Sequence, residues 1–263
     1  MGTHGTAPSL QDSCIDCIAE HLPKLCKPHP TEPTKLVFKD SDMHLPDALS
    51  NRLLAALINR GDLNDGTLSL FHSLCTSLTT VNIDYAKLTT RGLSVLKTHR
   101  ISRLALRFAD RYLTFDDLSA HCLGDWTLEN LRSLTLCFTN LDNRDLDSIS
   151  KSLPHLETLD ISDNKISHIS PLRDCKNRLR SLTMRNLDEL KEEGTTVTLW
   201  ELSLLELLDV SLVNDATFPL RDIDLSTGGK FQAASLIERT TANPKLRSLD
   251  ISGRGQVTED VLR

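Results

Sequence analysis

The chain has 263 residues, a net charge of −6 and an apolar content of 39%. That apolar share can build a packed core and argues against general disorder. The acidic balance argues against an electrostatic grip on DNA or RNA, which needs a basic face. No stretch approaches the roughly 20 consecutive apolar residues that span a bilayer, so no membrane partner is expected.

Residues 1–8 read as a flexible N-terminus. They lack a basic segment followed by an apolar one, so no signal peptide is expected. The seven cysteines are then expected to be mostly free thiols in the reducing cytoplasm or nucleus. The opening "MGTHGT" fits the loose myristoylation pattern through Gly2 and Thr6, as many chains do by chance.

The stretch "SLQDSCIDCIAEHL", residues 9–22, has the spacing of an amphipathic helix. Ser9 is a good N-cap, and Asp12 stands three residues on, like the acidic member of a capping box. Leu10, Cys14, Ile18 and Leu22 recur every four residues and make a narrow apolar stripe, flanked by Ile15 and Cys17. Such a stripe serves either to dock into a groove on a partner or to close the end of a repeat array. Pro28, Pro30 and Pro33 then break any helix in the connector, residues 27–44. Cys14, Cys17, His21, Cys26 and His29 crowd together, but the first two fall on the helix and no second Cys-x-x-Cys follows, so no metal site is assigned.

A second helix is predicted over residues 45–60. Pro46 suits its first position, Asp47 its first turn, and Gly61 its end. Leu45, Leu49 and Leu53 form one stripe; Leu54, Leu57 and Ile58 widen the apolar arc. The wider arc is expected to face the body of the protein and the edge stripe a partner.

From residue 61 onward the chain repeats. "LETLDISDNKISHI" (Leu156 to Ile169) follows the leucine-rich pattern through Leu156, Leu159, Ile161, Asn164 and Ile166. The same core recurs at Leu78/Val81/Ile83, Ile101/Leu104/Leu106, Leu131/Leu134/Leu136, Leu179/Leu182/Met184, Leu205/Leu208/Val210 and Leu246/Leu249/Ile251. Most copies lie about 23 to 30 residues apart. The last gap is longer, and residues 214–230 read as an inserted loop with Pro219, Gly228 and Gly229. Leu146, Ile149 and Leu153 have helical spacing, so each unit is predicted to be strand, turn and helix. Stacked units give an α/β fold, a leucine-rich-repeat solenoid with a curved parallel sheet and outer helices. The asparagine position holds Thr139, Leu187, Val213 and Arg254 in other copies, so the asparagine ladder should be incomplete. Candidate binding positions on the concave face are Asp160, Arg185 and Asp209, although a solvated polar sheet face is the simpler reading, since binding hot spots favour Trp, Tyr and Arg.

Two segments then carry a resemblance. Ser9-Leu10-x-x-x-Cys14-x-x-x-Ile18 resembles an elongin-binding box, and Leu45-Pro46-x-x-Leu49-x-x-x-Leu53 resembles the cullin-2 box that follows it in von Hippel–Lindau-box receptors. With "GDLNDGTLSLF", "LETLDISDNKISHISPLRDCKNRLRSLTM" and "LRSLDISGRGQVTED", the chain is similar to the zyg eleven family of leucine-rich-repeat substrate receptors for cullin-2 RING ubiquitin ligases. The resemblance implies that Leu10, Cys14 and Ile18 bind elongin C, which acts with elongin B. It implies that Leu45, Pro46, Leu49 and Leu53 meet cullin-2, which carries the RING subunit. Residues 9–60 would be the box module, and a protein substrate, unidentified, would be brought to the ligase. Vertebrate members recognise N-terminal glycine degrons through armadillo-type repeats; none follows here, so the chain reads as a truncated member or fragment, and no degron-pocket residue carries over.

Two other readings fit parts of the sequence. "LPDALSNRLLAAL" resembles the start of an F-box, the cullin-1 adaptor module, but leaves residues 9–22 unexplained. A plain leucine-rich scaffold would bury Leu10 and Cys14 within the chain. No phosphate-cradling glycine loop, Gly-x-Ser-x-Gly elbow or His-Glu-x-x-His occurs, so neither catalysis nor a cofactor is expected.

Overall fold

Each leucine-rich copy becomes one strand. The computed structural model describes residues 10–40, 42–84, 88–107, 114–187, 189–191, 194–211 and 245–250. Gly2, Ser9, Val213, Ile251, Arg254 and the expected loop at residues 214–230 lie outside these. At the front are helix α1 (Leu10–Glu20), the single turn α2 (Leu22–Leu25), a hairpin of β1 (Cys26–Pro28) and β2 (Leu36–Phe38), and helix α3 (Asp47–Asn59). Seven parallel strands follow: β3 (Thr80–Asp84), β4 (Arg103–Arg107), β5 (Ser133–Cys137), β6 (Thr158–Asp160), β7 (Ser181–Thr183), β8 (Leu207–Asp209) and β9 (Ser248–Asp250). They form one sheet in strict chain order. Among the described residues no helix is long and apolar enough to cross a membrane.

The register explains the core. Val81, Leu104, Leu134, Leu159, Leu182 and Leu208 align across the sheet, and all are buried. Each buried side chain of this size contributes about 2 kcal/mol of hydrophobic stabilisation. No unit could bury its own row, so stacking closes the core.

The helical half of each unit is less regular than predicted. Among the described connections between sheet strands, only Asn143–Ser152 is a ten-residue α-helix. It carries Leu146 and Ile149 inward, and Leu153 just beyond it is also buried. Elsewhere the elements are shorter and mixed: the α turn Thr90–Leu93 runs into the 3₁₀ turn Ser94–Thr98, and Phe115–Asp117 into a wider π turn at Leu118–Cys122. At Ser170–Cys175 the whole element is 3₁₀ and starts on a proline. A 3₁₀ turn rises about 2.0 Å per residue and so spans the back of a short unit with fewer residues.

Polar side chains stitch neighbouring units. Asn164, buried at the ladder position, donates from Nδ2 to the carbonyls of Leu136 (2.7 Å), Ile161 (2.9 Å) and Ser162 (3.0 Å). Its Oδ1 accepts from the N–H groups of Thr139 (3.2 Å) and Leu141 (3.0 Å). Just ahead of the strands, Arg132, Glu157, Arg180, Glu206 and Arg247 form one row, in which each N–H after the first donates to the carbonyl of the row member before it at 2.7 to 2.8 Å. Their charges alternate: Arg132 pairs with Glu157, and Arg180 with Glu206 at 2.6 Å. Each exposed pair is worth under about 1 kcal/mol; together they favour the observed stacking order.

His99 fills a comparable role in an earlier unit. It is buried, its Nδ1 accepts from the Leu78 N–H at 3.1 Å, and its Nε2–H donates to the Phe71 carbonyl. Burial is the main cause that lowers its pKa from the usual 6.5. Below that pH the unfolded chain binds a proton that the native state resists, so stability falls as pH drops from 6.5 toward the lowered native value. His99→Gln is expected to flatten this slope, measured as urea midpoints between about pH 7 and pH 5.

Candidate docking surfaces

Helix α1 packs on α3 with one side only. Its inward residues are Ile15 and Ala19, followed by Leu22 at the start of α2. Ala19 is small enough to let the two helices approach closely. Ile18 is half-buried against the same core. Leu10 is 82% exposed, and Cys14 and Cys17 are exposed too. The predicted stripe therefore divides. Its C-terminal end turns into the protein, while Leu10 and Cys14 face solvent.

In α3 the inward arc is wider than predicted. Leu53, Leu54, Ala56 and Leu57 are all buried. Leu53 is 0% exposed, which corrects its assignment as a partner-facing residue. One helical turn after Leu49 and one before Leu57, it falls inside the arc that meets the core. Leu53→Ala is expected to cost about 2–5 kcal/mol of folding stability, read from a urea midpoint, rather than a contact. Leu45 and Leu49 are half-buried against the core, and Pro46 is exposed. Pro46 is the N-cap, with the helix starting at Asp47, whose carboxylate accepts from the Thr79 N–H at 2.7 Å. The helix ends as expected at Gly61, which takes a positive φ of 72°.

Leu45 also anchors a second segment. Its N–H donates to the Cys75 carbonyl (2.7 Å), and its carbonyl accepts from the Ser77 N–H (3.1 Å). This clips the turn at residues 72–76 beside Pro46. On that turn Leu74 is 78% exposed, so Leu10 and Leu74 are the two most exposed large apolar side chains among the described residues. Sequence reasoning missed Leu74. The available signal was an apolar residue between His72 and Cys75 that belongs to no strand copy. Between α3 and β3 lies a mixed groove of about 390 Å³, lined by Asp47, Asn51, Asn59, Asn82 and Asp84 and by Leu54, Ala55 and Ile58.

On the sheet, Asp160 and Asp209 share a register row with Thr183 between them, and Arg185 lies just beyond β7. Each aspartate is held from within its own unit. Asp160 Oδ1 accepts from the Ser162 hydroxyl at 2.6 Å, and Asp209 Oδ1 from the Ser211 hydroxyl at 2.8 Å. Arg185 Nε donates to Asp209 Oδ2 at 2.5 Å. Burial works against the Arg185 charge, but the bond to Asp209 and the nearby Asp160 and Asp250 more than offset it and raise its pKa. The three predicted residues are thus brought together, with Arg185 and Asp209 already engaged to each other.

All seven cysteines are free thiols. Burial raises Cys26 to about 11 and Cys122 to about 12, and pushes Cys137 and Cys175 up as well. Among the described residues no group of three or more His, Cys, Asp or Glu side chains is placed to hold a metal ion.

Residues 152–167, which include β6 and Asn164, match the family model described as "Leucine Rich repeat". The chain is also 41% identical over 81 residues to Gastrulation-defective protein 3 of Caenorhabditis elegans. That alignment covers 31% of this chain and spans 11% of the relative's length. The parallel sheet, its buried leucine rows and the family match all fit a leucine-rich-repeat solenoid.

Proposed function

We propose that the chain is the non-catalytic substrate-receptor subunit of an elongin B/C–cullin-2 RING ubiquitin ligase, working in the cytoplasm or nucleus. The observation that supports this reading best is Leu10, 82% exposed at the start of a helix whose other side is packed on its own α3. Leu10 enters an apolar pocket on elongin C, and Cys14 packs beside it as a small, soft group. Leu45, Pro46 and Leu49 face cullin-2, and Leu74 extends that lip. The sheet face with Asp160, Arg185 and Asp209 is the candidate surface for a protein substrate, held near loaded ubiquitin at high effective concentration. The 81-residue likeness to the worm protein and the sequence resemblance to the zyg eleven family point the same way.

Affinity purification with mass spectrometry tests the proposal. The unmodified chain is expected to retain elongin B, elongin C and cullin-2. Leu74→Asp is expected to lose cullin-2 while keeping the elongins. Absence of all three from the unmodified sample would end the proposal, and capture of the F-box adaptor instead would favour the cullin-1 reading.

A further inference from the structure

We propose that the outer edge of β3 takes up an extended, cationic segment of another protein, added as a further strand in the groove between β3 and α3. The sheet ends here, since β3 pairs with β4 alone. The Arg103 N–H donates to the Thr79 carbonyl. With the parallel register, this turns the N–H and carbonyl groups of Val81 and Ile83 toward β4. The N–H and carbonyl groups of Thr80 and Asn82, and the Asp84 N–H, turn the other way. Among the described residues nothing bonds them. Such a row is a template for an incoming strand.

The chain itself begins the missing strand and then leaves it. Leu45 bridges Thr76 in the parallel sense, just before α3 starts. One step on, Asp47 Oδ1 accepts from the Thr79 N–H at 2.7 Å. In the next unit the equivalent N–H, that of Ser102, donates to the Thr79 carbonyl. The Asp47 carboxylate thus stands in for a strand carbonyl, once. Beyond it α3 carries the chain away, and the groove of about 390 Å³ opens with Thr80, Asn82 and Asp84 as one wall. That volume is within the range of ligand clefts, about 300–1,000 Å³. Asp47, Asn51 and Ala55, four residues apart on one face of α3, supply the other wall, with Leu54 and Ile58 as apolar surface.

Charge selects the occupant. The lining holds two carboxylates and no cationic side chain. Asp84 is paired with Arg107 at 3.3 Å. Asp47 is held by neutral donors, the Thr79 N–H and the Asn51 amide at 3.0 Å, and has no ion pair among the described residues. A lysine or arginine of the added segment supplies that pair. Alternate side chains of the segment, of the Val type, lie on Leu54 and Ile58.

The test uses the full chain and the capped peptide Lys-Val-Thr-Val-Lys, with fluorescence anisotropy. Saturable binding tighter than about 1 mM is expected. Two N-methylated versions decide the mode. Methylating both Val nitrogens, or instead those of Thr and the second Lys, removes donors from opposite sides of an extended peptide. One version is expected to bind at least tenfold more weakly and the other almost unchanged. Equal effects, or no saturable binding by the parent peptide, would overturn the proposal. Asp47→Asn keeps an oxygen for the Thr79 N–H and is expected to weaken binding about fivefold, and exchanging both peptide lysines for glutamate to do at least the same. No change in either case would overturn the charge selection. Ala55→Trp fills the groove from an exposed position. It is expected to abolish binding with an unchanged urea midpoint; undiminished binding would overturn the site. Sedimentation of the unmodified chain is expected to show a monomer. A dimer that Ala55→Trp dissociates would give the edge to a second copy instead.

Discussion

Leu10→Asp is expected to weaken binding to purified elongin B/C by at least about 30-fold, the equivalent of about 2 kcal/mol at an apolar anchor. Titration calorimetry reads the affinity. The same substitution should leave stability within about 0.5 kcal/mol, because Leu10 is 82% exposed and has little of its own protein to lose. This pairing of outcomes separates a docking residue from a structural one. If Leu10→Asp bound elongin B/C as tightly as the unmodified chain, the α1 reading would fail. If it lowered the urea midpoint as Leu53→Ala is expected to, Leu10 would be a structural residue, as the plain scaffold reading requires.

Asn164→Ala is expected to cost about 3 kcal/mol or more of local stability. The side chain is nearly sealed from water and serves three carbonyls and two N–H groups from two adjacent units. Alanine takes this partner from the Thr139 and Leu141 N–H groups and the Ile161 carbonyl, at about 1–3 kcal/mol each before relaxation, while the Leu136 carbonyl still accepts from the Thr139 hydroxyl and the Ser162 carbonyl from the Phe138 N–H. Hydrogen exchange is the suitable readout. Protection should fall at β5, β6 and the turns that follow them, and change little at β3. A uniform loss across the sheet, or none, would contradict the assigned role of Asn164.

Strand positions were the most legible part of the sequence, since a two-residue alternation of leucines has few other uses. All seven copies became strands, including the weak one at Leu78, Val81 and Ile83. The connections were less legible. A three-residue apolar spacing fits an α-helix and a 3₁₀ turn alike, and the available length decided between them. The β1–β2 hairpin was hidden by Pro28, Pro30 and Pro33, which read as breakers although a proline is tolerated where no ladder N–H is required. At the candidate site, spacing identified the apolar residues of α1 and α3 but not which way they face. Leu10 and Leu53 look equivalent in sequence; packing of α1 on α3 leaves one in solvent and seals the other. The alternating row from Arg132 to Arg247 was invisible because its members lie 23 to 41 residues apart and meet only through stacking.

In the sheet each strand hydrogen-bonds only to its immediate predecessor and successor in the chain. Damage at one rung is therefore felt chiefly by two others, and the array can melt in segments rather than as a whole. Different spectroscopic probes placed along it should report different denaturation midpoints, so each midpoint belongs to the segment its probe reports.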